Sequence, residues 1–221
     1  MATLELLNPQ SHGHLRMRAT GPRTAHFVQV IASEFAAAAA CCPILLTKDA
    51  TTGAFYAGAM FGFTPGENLL AADAGGGFDP LMLRREGFFM SDQHVAIDRT
   101  HERFSEADGE PLFDELRQPG KSLREIQRAL GEIHAGLEYT GNFIKSLASR
   151  KLIEPIDISI ASGASRVSLQ GLYTVSLDRL HDVDDAAALQ LFRSGHAQLA
   201  YVMAASLKQI AQLARLRERA S

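Results

Sequence analysis

The stretch AGGGFDPLMLRREGFFM, residues 74–90, combines consecutive glycines with an arginine pair, residue types that can bind phosphate. A dinucleotide-binding fingerprint needs G-x-G-x-x-G between a strand and a helix, and a phosphate-binding loop needs G-x-x-x-x-G-K-[S/T]. The glycines at 75–77 fit neither pattern, and Pro80 and β-favouring residues follow where a helix would have to begin. We therefore predict a turn in which glycine supplies positive φ angles.

Arg84 and Arg85 are stronger candidates for a binding function than the glycines. Neighbouring residues of a strand point to opposite faces, so in the predicted strand one arginine faces the interior or a cleft. A guanidinium in the apolar setting LML…GFFM needs a carboxylate or an anionic ligand. A structural ion pair and a binding role both stay open, and we name Arg84, Arg85 and Asn68 of the preceding GENLL segment as candidate binding residues. The nearby carboxylates are Glu67, Asp79 and Asp92.

Histidines raise the question of a metal site. SHGHLR contains His12 and His14, and HVAIDRTHE contains His94, Asp98 and His101. Two histidines and one carboxylate form the facial set of non-haem iron enzymes. In an extended strand, however, His94 and Asp98 lie about 13 Å apart, too far for one ion. We predict exposed histidines at strand ends, with no metal and no cofactor, and keep an iron-dependent oxygenase, or a subunit of one, as the alternative.

The candidate nucleophiles are weak. Cys42 follows the end of a predicted helix, whereas it is a helix N-terminus that lowers a thiol pKa, so we predict a buried, inert cysteine. No G-x-S-x-G elbow occurs, and ASGAS at 161–165 is typical of a hairpin turn. Asp184 and Asp185 are interpreted as charges at a helix start. We name no catalytic residue and expect a protein that is not an enzyme.

Several elements position these residues in the first half of the chain. Ser33 is predicted to cap a short helix that ends at Pro43. A hairpin around ATTG at 50–53 follows, and HVAID at 94–98 forms a further strand.

The second half is dominated by a long predicted helix. Ser122 and Glu125 have the spacing of a capping box. An apolar stripe follows at steps of three and four, with Thr140 in one place: Leu123, Ile126, Leu130, Ile133, Leu137, Ile144 and Leu147. Glycines at 131, 136 and 141 mark a close approach of another backbone or a kink. A second hairpin and helices at 184–194 and 197–218 complete the chain.

These elements favour an α+β fold, because strands and helices are clustered without β-α-β alternation. We expect antiparallel hairpins in the N-terminal half, a second hairpin near 156–176, one long helix and two C-terminal helices. Residues 1–221 are predicted to form a single domain, with a possible subdivision into a β-rich part, 1–110, and a helix-rich part, 111–221.

Composition restricts the function. The chain has 22 basic and 25 acidic side chains among 221 residues, a balance unlike that of a nucleic-acid-binding protein. The start MATLELLNPQ lacks the features of a secretory signal, and EFAAAAACCPILL is too short to span a bilayer. Cys41 and Cys42 are adjacent, so they would bridge only with strain. We expect a reduced, cytoplasmic protein without a transmembrane segment.

Seven segments, in order, resemble the bacterial SapC family, which is named for a gene in a surface-layer protein locus. They are AHFVQVIASEFAAAAACCPILLTKD, GENLL, LRREGFFM, GEPLFDE, TGNFIKSLASRKLIEPIDI, LQGLYTVSLDRLHDV and SGHAQLAYVMAASLKQIAQL. The resemblance covers roughly residues 12 to 216. The chain departs from the family pattern where relatives have an aromatic residue at 77 or 78, Tyr-Pro at 86–87 and Tyr at 42, which marks a divergent member.

The resemblance implies an accessory or regulatory role, since the family's biochemistry is undefined. Relatives are associated with gene neighbourhoods of outer-membrane nutrient receptors and flavin-dependent halogenase-like enzymes. We expect a cytoplasmic protein that binds a small molecule, a peptide or a protein partner, with a homodimer as an option. A surface-layer structural protein is a further alternative.

Overall fold

The structure is a computed structural model that describes residues 4–19, 23–70, 77–162 and 165–220. The predicted glycine turn lies mostly in 71–76, and the predicted hairpin turn at 161–165 includes 163–164, so both lie outside the described residues in whole or in part.

Short strands are distributed along most of the described chain. They are β1 (Leu4–Leu6), β2 (Arg16–Met17), β3 (Phe27–Gln29), β4 (Ile44–Lys48), β5 (Phe55–Met60), β6 (Phe88–Ser91), β7 (His94–Asp98), β8 (Phe104–Ser105), β9 (Glu110–Pro111), β10 (Ile153–Ser162) and β11 (Ser165–Val175).

Helices are concentrated in the second half. They are α1 (Pro9–His12), α2 (Phe35–Ala39), α3 (Leu81–Arg84), α4 (Lys121–Ser149), α5 (Leu177–His181), α6 (Asp185–Arg193), α7 (His196–Ser206) and α8 (Gln209–Ala220). None of the described helices is long and apolar enough to cross a membrane.

The predicted α+β class is confirmed. Every described strand pair is antiparallel, the second hairpin is β10–β11, and α4 is the predicted long helix. The helix predicted at 197–218 is interrupted at 207–208, which divides it into α7 and α8.

The chain divides into two compact units that interleave in sequence. The first unit contains Met1–Arg23 and Leu81–Ala135, and the second contains Thr24–Pro80 and Gly136–Ser221. In the first unit, three-stranded sheets of order β1-β7-β6 and β8-β2-β9 accompany a core that includes Phe88, Ile97, Leu112, Leu123 and Ile126. In the second, one sheet has the order β10-β11-β4-β5-β3.

Two predicted helix caps are wrong. Ser33 lies inside a 3-10 turn, Ala32–Glu34, and the N–H of Ile31 instead donates to the Glu34 carboxylate at 3.0 Å. Helix α4 begins at Lys121, so Ser122 lies within its first turn rather than at the cap. The Ser122 hydroxyl is buried and has no hydrogen-bond partner among the described residues. Both errors arise because spacing alone does not identify the first helical residue.

Helix α4 carries the predicted stripe with one change. Leu137 is 40% exposed, and Gly136 and Thr140 contact the segment at Ile31–Ala32 in its place. A Cβ atom at position 136 would lie 2.4 Å from the Ile31 Cδ1 atom. The Thr140 hydroxyl accepts the Ala32 N–H at 2.8 Å and donates to the Gly136 carbonyl at 2.7 Å. Of the glycines in α4, Gly136 therefore marks a close approach.

This difference among the glycines is testable by alanine substitution. At Gly131 and Gly141 an added Cβ meets nothing within 4 Å, so Gly131→Ala and Gly141→Ala should each raise the free energy of unfolding by about 0.5–1 kcal/mol through helix propensity. Gly136→Ala should lower it, because Ile31 is only 1% exposed and has little room to move. Urea denaturation of the three variants measures the contrast. A gain at position 136 equal to the other two would show that the contact imposes no constraint.

Candidate functional site

Arg84 and Arg85 lie at the end of the short helix α3, so the strand predicted here is wrong. Leu81 and Leu83 are buried, and an apolar run of this length does not distinguish a strand from a helical turn. Arg85 is half-buried; it donates to the Phe88 carbonyl at 3.2 Å, and its guanidinium lies 5.2 Å from the centre of the Phe89 ring. Burial lowers the pKa of Arg85. Arg84 is exposed.

The other predicted binding residue, Asn68, belongs to the second unit, whereas the arginines belong to the first. Its side-chain oxygen accepts the N–H of Leu70 at 3.1 Å and so shapes its own segment. A binding role of Asn68, Arg84 and Arg85 stays a prediction.

Glu67, a proposed partner of the arginines, is engaged elsewhere. Its carboxylate lies 3.1 Å from the Arg217 Nε of α8 and accepts the Phe63 N–H at 2.6 Å. The guanidinium of Arg217 also lies 5.8 Å from the centre of the Phe63 ring. Glu67 therefore ties the GENLL segment to the C-terminal helix within the second unit.

The histidines have local partners. His12, predicted to be exposed, is buried in α1: its Nε2 lies 3.1 Å from a Glu5 carboxylate oxygen, and its Nδ1 accepts the Asn8 N–H. His14 lies 3.3 Å from Glu106. Across the described residues, no group of three or more His, Cys, Asp or Glu side chains could hold a metal ion.

The two cysteines are free thiols. Cys42 is fully buried, as predicted, and its sulfur lies 3.2 Å from the Ala38 carbonyl oxygen. The hydrogen bond with Cys41, and then burial, raises the pKa of the Cys42 thiol, which disfavours the reactive thiolate.

The second unit contains a cleft on one face of its sheet, which we call the sheet cleft. Its volume is about 340 Å³. The lining residues are His26, Phe27, Thr47, Tyr56, Met60, Gly62, Leu169, Gln170 and Leu172.

Strand register explains why these residues share one face. Leu172 pairs with Thr47, and Thr47 pairs with Tyr56, which forms one row across β11, β4 and β5. Phe27 pairs with Met60, four residues after Tyr56. Directly opposite residues point to the same side of an antiparallel sheet, and side chains alternate along a strand, so both rows face the cleft.

Gly58 allows the Phe27 ring to lie across β5. A Cβ atom at position 58 would come within 2.1 to 2.9 Å of three Phe27 ring atoms. The Phe27 ring also makes an edge-to-face contact with Tyr56, with centroids 6.2 Å apart. The aromatic wall of the sheet cleft therefore depends on a glycine in the middle of a strand.

The polar groups of the sheet cleft are few. The Thr47 hydroxyl donates to the Gly171 carbonyl at 3.1 Å. The Tyr56 hydroxyl and the His26 ring have no hydrogen-bond partner among the described residues, so both can bond to a ligand. Burial, and then the negative charge of Asp49, raises the pKa of Tyr56, which keeps the phenol protonated as a donor.

A second cleft, of about 370 Å³, shares Tyr56 and is lined also by Gln29, Asp49, Ala54 and Phe55. Asp49 accepts the N–H and the hydroxyl of Thr52 at 2.7 and 2.9 Å and the N–H of Thr51 at 3.1 Å, and these bonds lower its pKa. The carboxylate is therefore ionised at neutral pH.

Sequence reasoning missed the sheet cleft. Its lining comes from four strands or their ends that are distant in sequence. The alternation of Tyr56, Gly58 and Met60 in one strand was the available signal, but it does not say which face stays uncovered.

Among comparisons with known proteins, one family model matches the chain. A model of the family described as SapC matches residues 7–213. No curated protein and no solved structure matches the chain.

The Glu67–Arg217 pair should contribute measurably to stability. Glu67→Gln keeps an acceptor for the Phe63 N–H but removes the charge opposite Arg217. Because the two side chains are only 20% and 15% exposed, we expect a loss of about 1–2 kcal/mol in the free energy of unfolding. Glu115→Gln, at an exposed position outside any described ion pair, serves as the control. Equal urea midpoints for both variants would contradict a stabilising pair.

Proposed function

The chain belongs to the SapC family, and from this premise we propose that it is a non-catalytic accessory protein that binds a small ligand in the sheet cleft. The observation that carries the proposal is the combination of an apolar cleft with polar groups whose hydrogen-bonding capacity is unused. Small-molecule sites typically have this composition.

The size and lining of the sheet cleft favour a small, mostly apolar ligand. A volume of about 340 Å³ lies near the lower end of the range for ligand pockets. Phe27, Met60, Leu169 and Leu172 supply apolar surface, and burial of the ligand against it drives association. The Tyr56 hydroxyl can donate a hydrogen bond, and the His26 ring can donate or accept one. Together they would orient one polar group of the ligand.

The non-catalytic part of the proposal rests on the chemistry of the lining. No hydroxyl among the described lining residues is hydrogen-bonded to a histidine or a carboxylate. A nucleophile of this type needs such a base to be activated. The groups present therefore support recognition rather than bond cleavage.

The proposal includes the wider role expected from the family resemblance. In this wider role the protein is a cytoplasmic accessory or regulatory component that binds a small molecule, a peptide or a protein partner. The free thiols of Cys41 and Cys42 support a reducing compartment. A homodimer stays part of the proposal and is tested by the mass of the protein in solution.

A ligand-observed NMR screen tests binding in the sheet cleft. The probe is a library of small aromatic and aliphatic compounds that each carry one hydroxyl or amide group. Binding should be lost in Gln170→Trp, because Gln170 is exposed and lines the cleft, so the indole would fill it. Tyr56→Phe should weaken hits by about fivefold, through loss of one hydrogen bond of about 1 kcal/mol.

The matched control is Gln198→Trp, the same substitution at an exposed position of α7 outside the cleft. It should bind like the unmodified protein. Hits that survive Gln170→Trp, or the absence of any hit, would contradict the proposed site.

A further inference from the structure

The N-terminus of α4 lacks the groups that normally satisfy a helix start. The Arg124 N–H donates to the Gly120 carbonyl at 3.0 Å, so Gly120 occupies the cap position and offers no capping side chain. The N–H groups of Lys121, Ser122 and Leu123 have no acceptor among the described residues. Free first-turn N–H groups need an outside partner.

Glycine is required at this cap position by its surroundings. A Cβ atom at position 120 would lie 2.8 Å from the Pro111 carbonyl oxygen and 3.1 Å from that of Leu112. The Gly120 N–H donates to the Leu112 carbonyl at 2.8 Å. The close approach fixes the position of the helix start.

The charges at this terminus are opposite to those that stabilise a helix. The positive end of the helix dipole favours acidic side chains, yet the first turn contains none. Lys121 and Arg124 lie there instead, and Arg117 precedes them in the adjoining loop. None of these three cations makes an ion pair with a described residue. These cations therefore add to the positive potential at the start of a 29-residue helix.

The loop before α4 contains the acid Asp114, which is engaged within that loop. The carboxylate of Asp114 accepts the N–H groups of Leu116 and Gln118 at 3.0 and 2.8 Å, which closes the loop on itself. Arg124 in turn donates to the Pro119 carbonyl at 2.5 Å, so its guanidinium is held beside the helix start.

An independent observation points to a ligand at the same turn. Ser122 is 4% exposed, and its hydroxyl has no hydrogen-bond partner among the described residues. Cα–Cβ bonds of a helix tilt toward its N-terminus, so the Ser122 side chain leaves the backbone toward the end that carries the free N–H groups. Burying an unpaired hydroxyl is unfavourable, and buried polar groups without a protein partner commonly meet a ligand or a water.

We propose that the first turn of α4 is a binding site for a phosphate-class oxyanion, held by the free N–H groups of residues 121–123, the Ser122 hydroxyl and the side chains of Lys121 and Arg124. Helix N-termini bind such anions through N–H groups and dipole together. The tripeptide Gly120-Lys121-Ser122 also matches the end of the phosphate-binding-loop pattern, although Glu115 stands where that pattern has its first glycine. The site belongs to the first unit and is independent of the sheet cleft.

The test is a titration of the full chain with inorganic phosphate, monitored through the NMR signals of the backbone amides. Ionic strength is held constant with chloride, which also serves as the reference anion. The amides of Lys121, Ser122 and Leu123 should shift with a common affinity. Lys121→Gln should weaken that affinity about tenfold, the amount expected for loss of one charged hydrogen bond. Lys145→Gln, an exposed lysine further along the same helix, is the matched control and should bind normally.

Ser122→Ala separates a ligand role from a structural one. It removes an unpaired buried hydroxyl, so in phosphate-free buffer the melting temperature should stay equal or rise. Phosphate affinity should nevertheless fall severalfold. If the hydroxyl is only a packing defect, affinity will be unchanged and its part in the site is refuted.

A second titration, with phenyl phosphate, distinguishes a phosphomonoester ligand from free inorganic phosphate. Tighter binding than that of inorganic phosphate supports a phosphomonoester ligand, and equal binding supports the free anion. Absence of phosphate-dependent shifts at residues 121–123, or equal affinity in the unmodified protein and Lys121→Gln, would overturn the proposal.

Discussion

The contact of α4 with the segment at Ile31–Ala32 is the constraint on which the second unit depends. Gly136 removes the side chain that would collide with Ile31, and Thr140, one turn later, accepts the buried Ala32 N–H. A buried N–H without a partner is costly, so the glycine and the threonine act together. The contact therefore fixes the position of the segment that connects strand β3 to helix α2.

The same logic recurs where α7 meets the sheet. Ser206 is fully buried; its hydroxyl accepts the N–H of Ile44 at the start of β4 and donates to the Met203 carbonyl of its own helix. Isolated polar side chains thus satisfy backbone groups where helices cross strand ends. Leu45 and Met60 pack with Leu213 of α8, and the same sheet face carries the sheet cleft between Phe27 and Leu172.

The two proposed sites differ in their physical basis. The sheet cleft depends on apolar surface and on unused hydrogen-bonding groups, which suits a small neutral ligand. The start of α4 depends on charge, because lysine and arginine lie where the helix dipole is already positive. The glycine run at 75–77 lacks the spacing of a phosphate-binding loop. The anion site that we propose lies instead at Gly120-Lys121-Ser122, where a long helix begins.

The sequence by itself determined the fold class, the family resemblance, the long helix and the second hairpin, because hydrophobic periodicity and turn residues are local signals. It did not determine the secondary structure of LMLRR at 81–85, since a short apolar run packs equally well as a strand or as a helical turn. It also did not determine which glycine of α4 meets a neighbour, or that Glu67 pairs with Arg217 rather than with Arg84 or Arg85. Only the tertiary structure decided these points and brought Phe27, Thr47, Tyr56 and Leu172 to one face. The physical reason is that strand register and close packing join residues far apart in sequence, and local patterns do not encode that pairing.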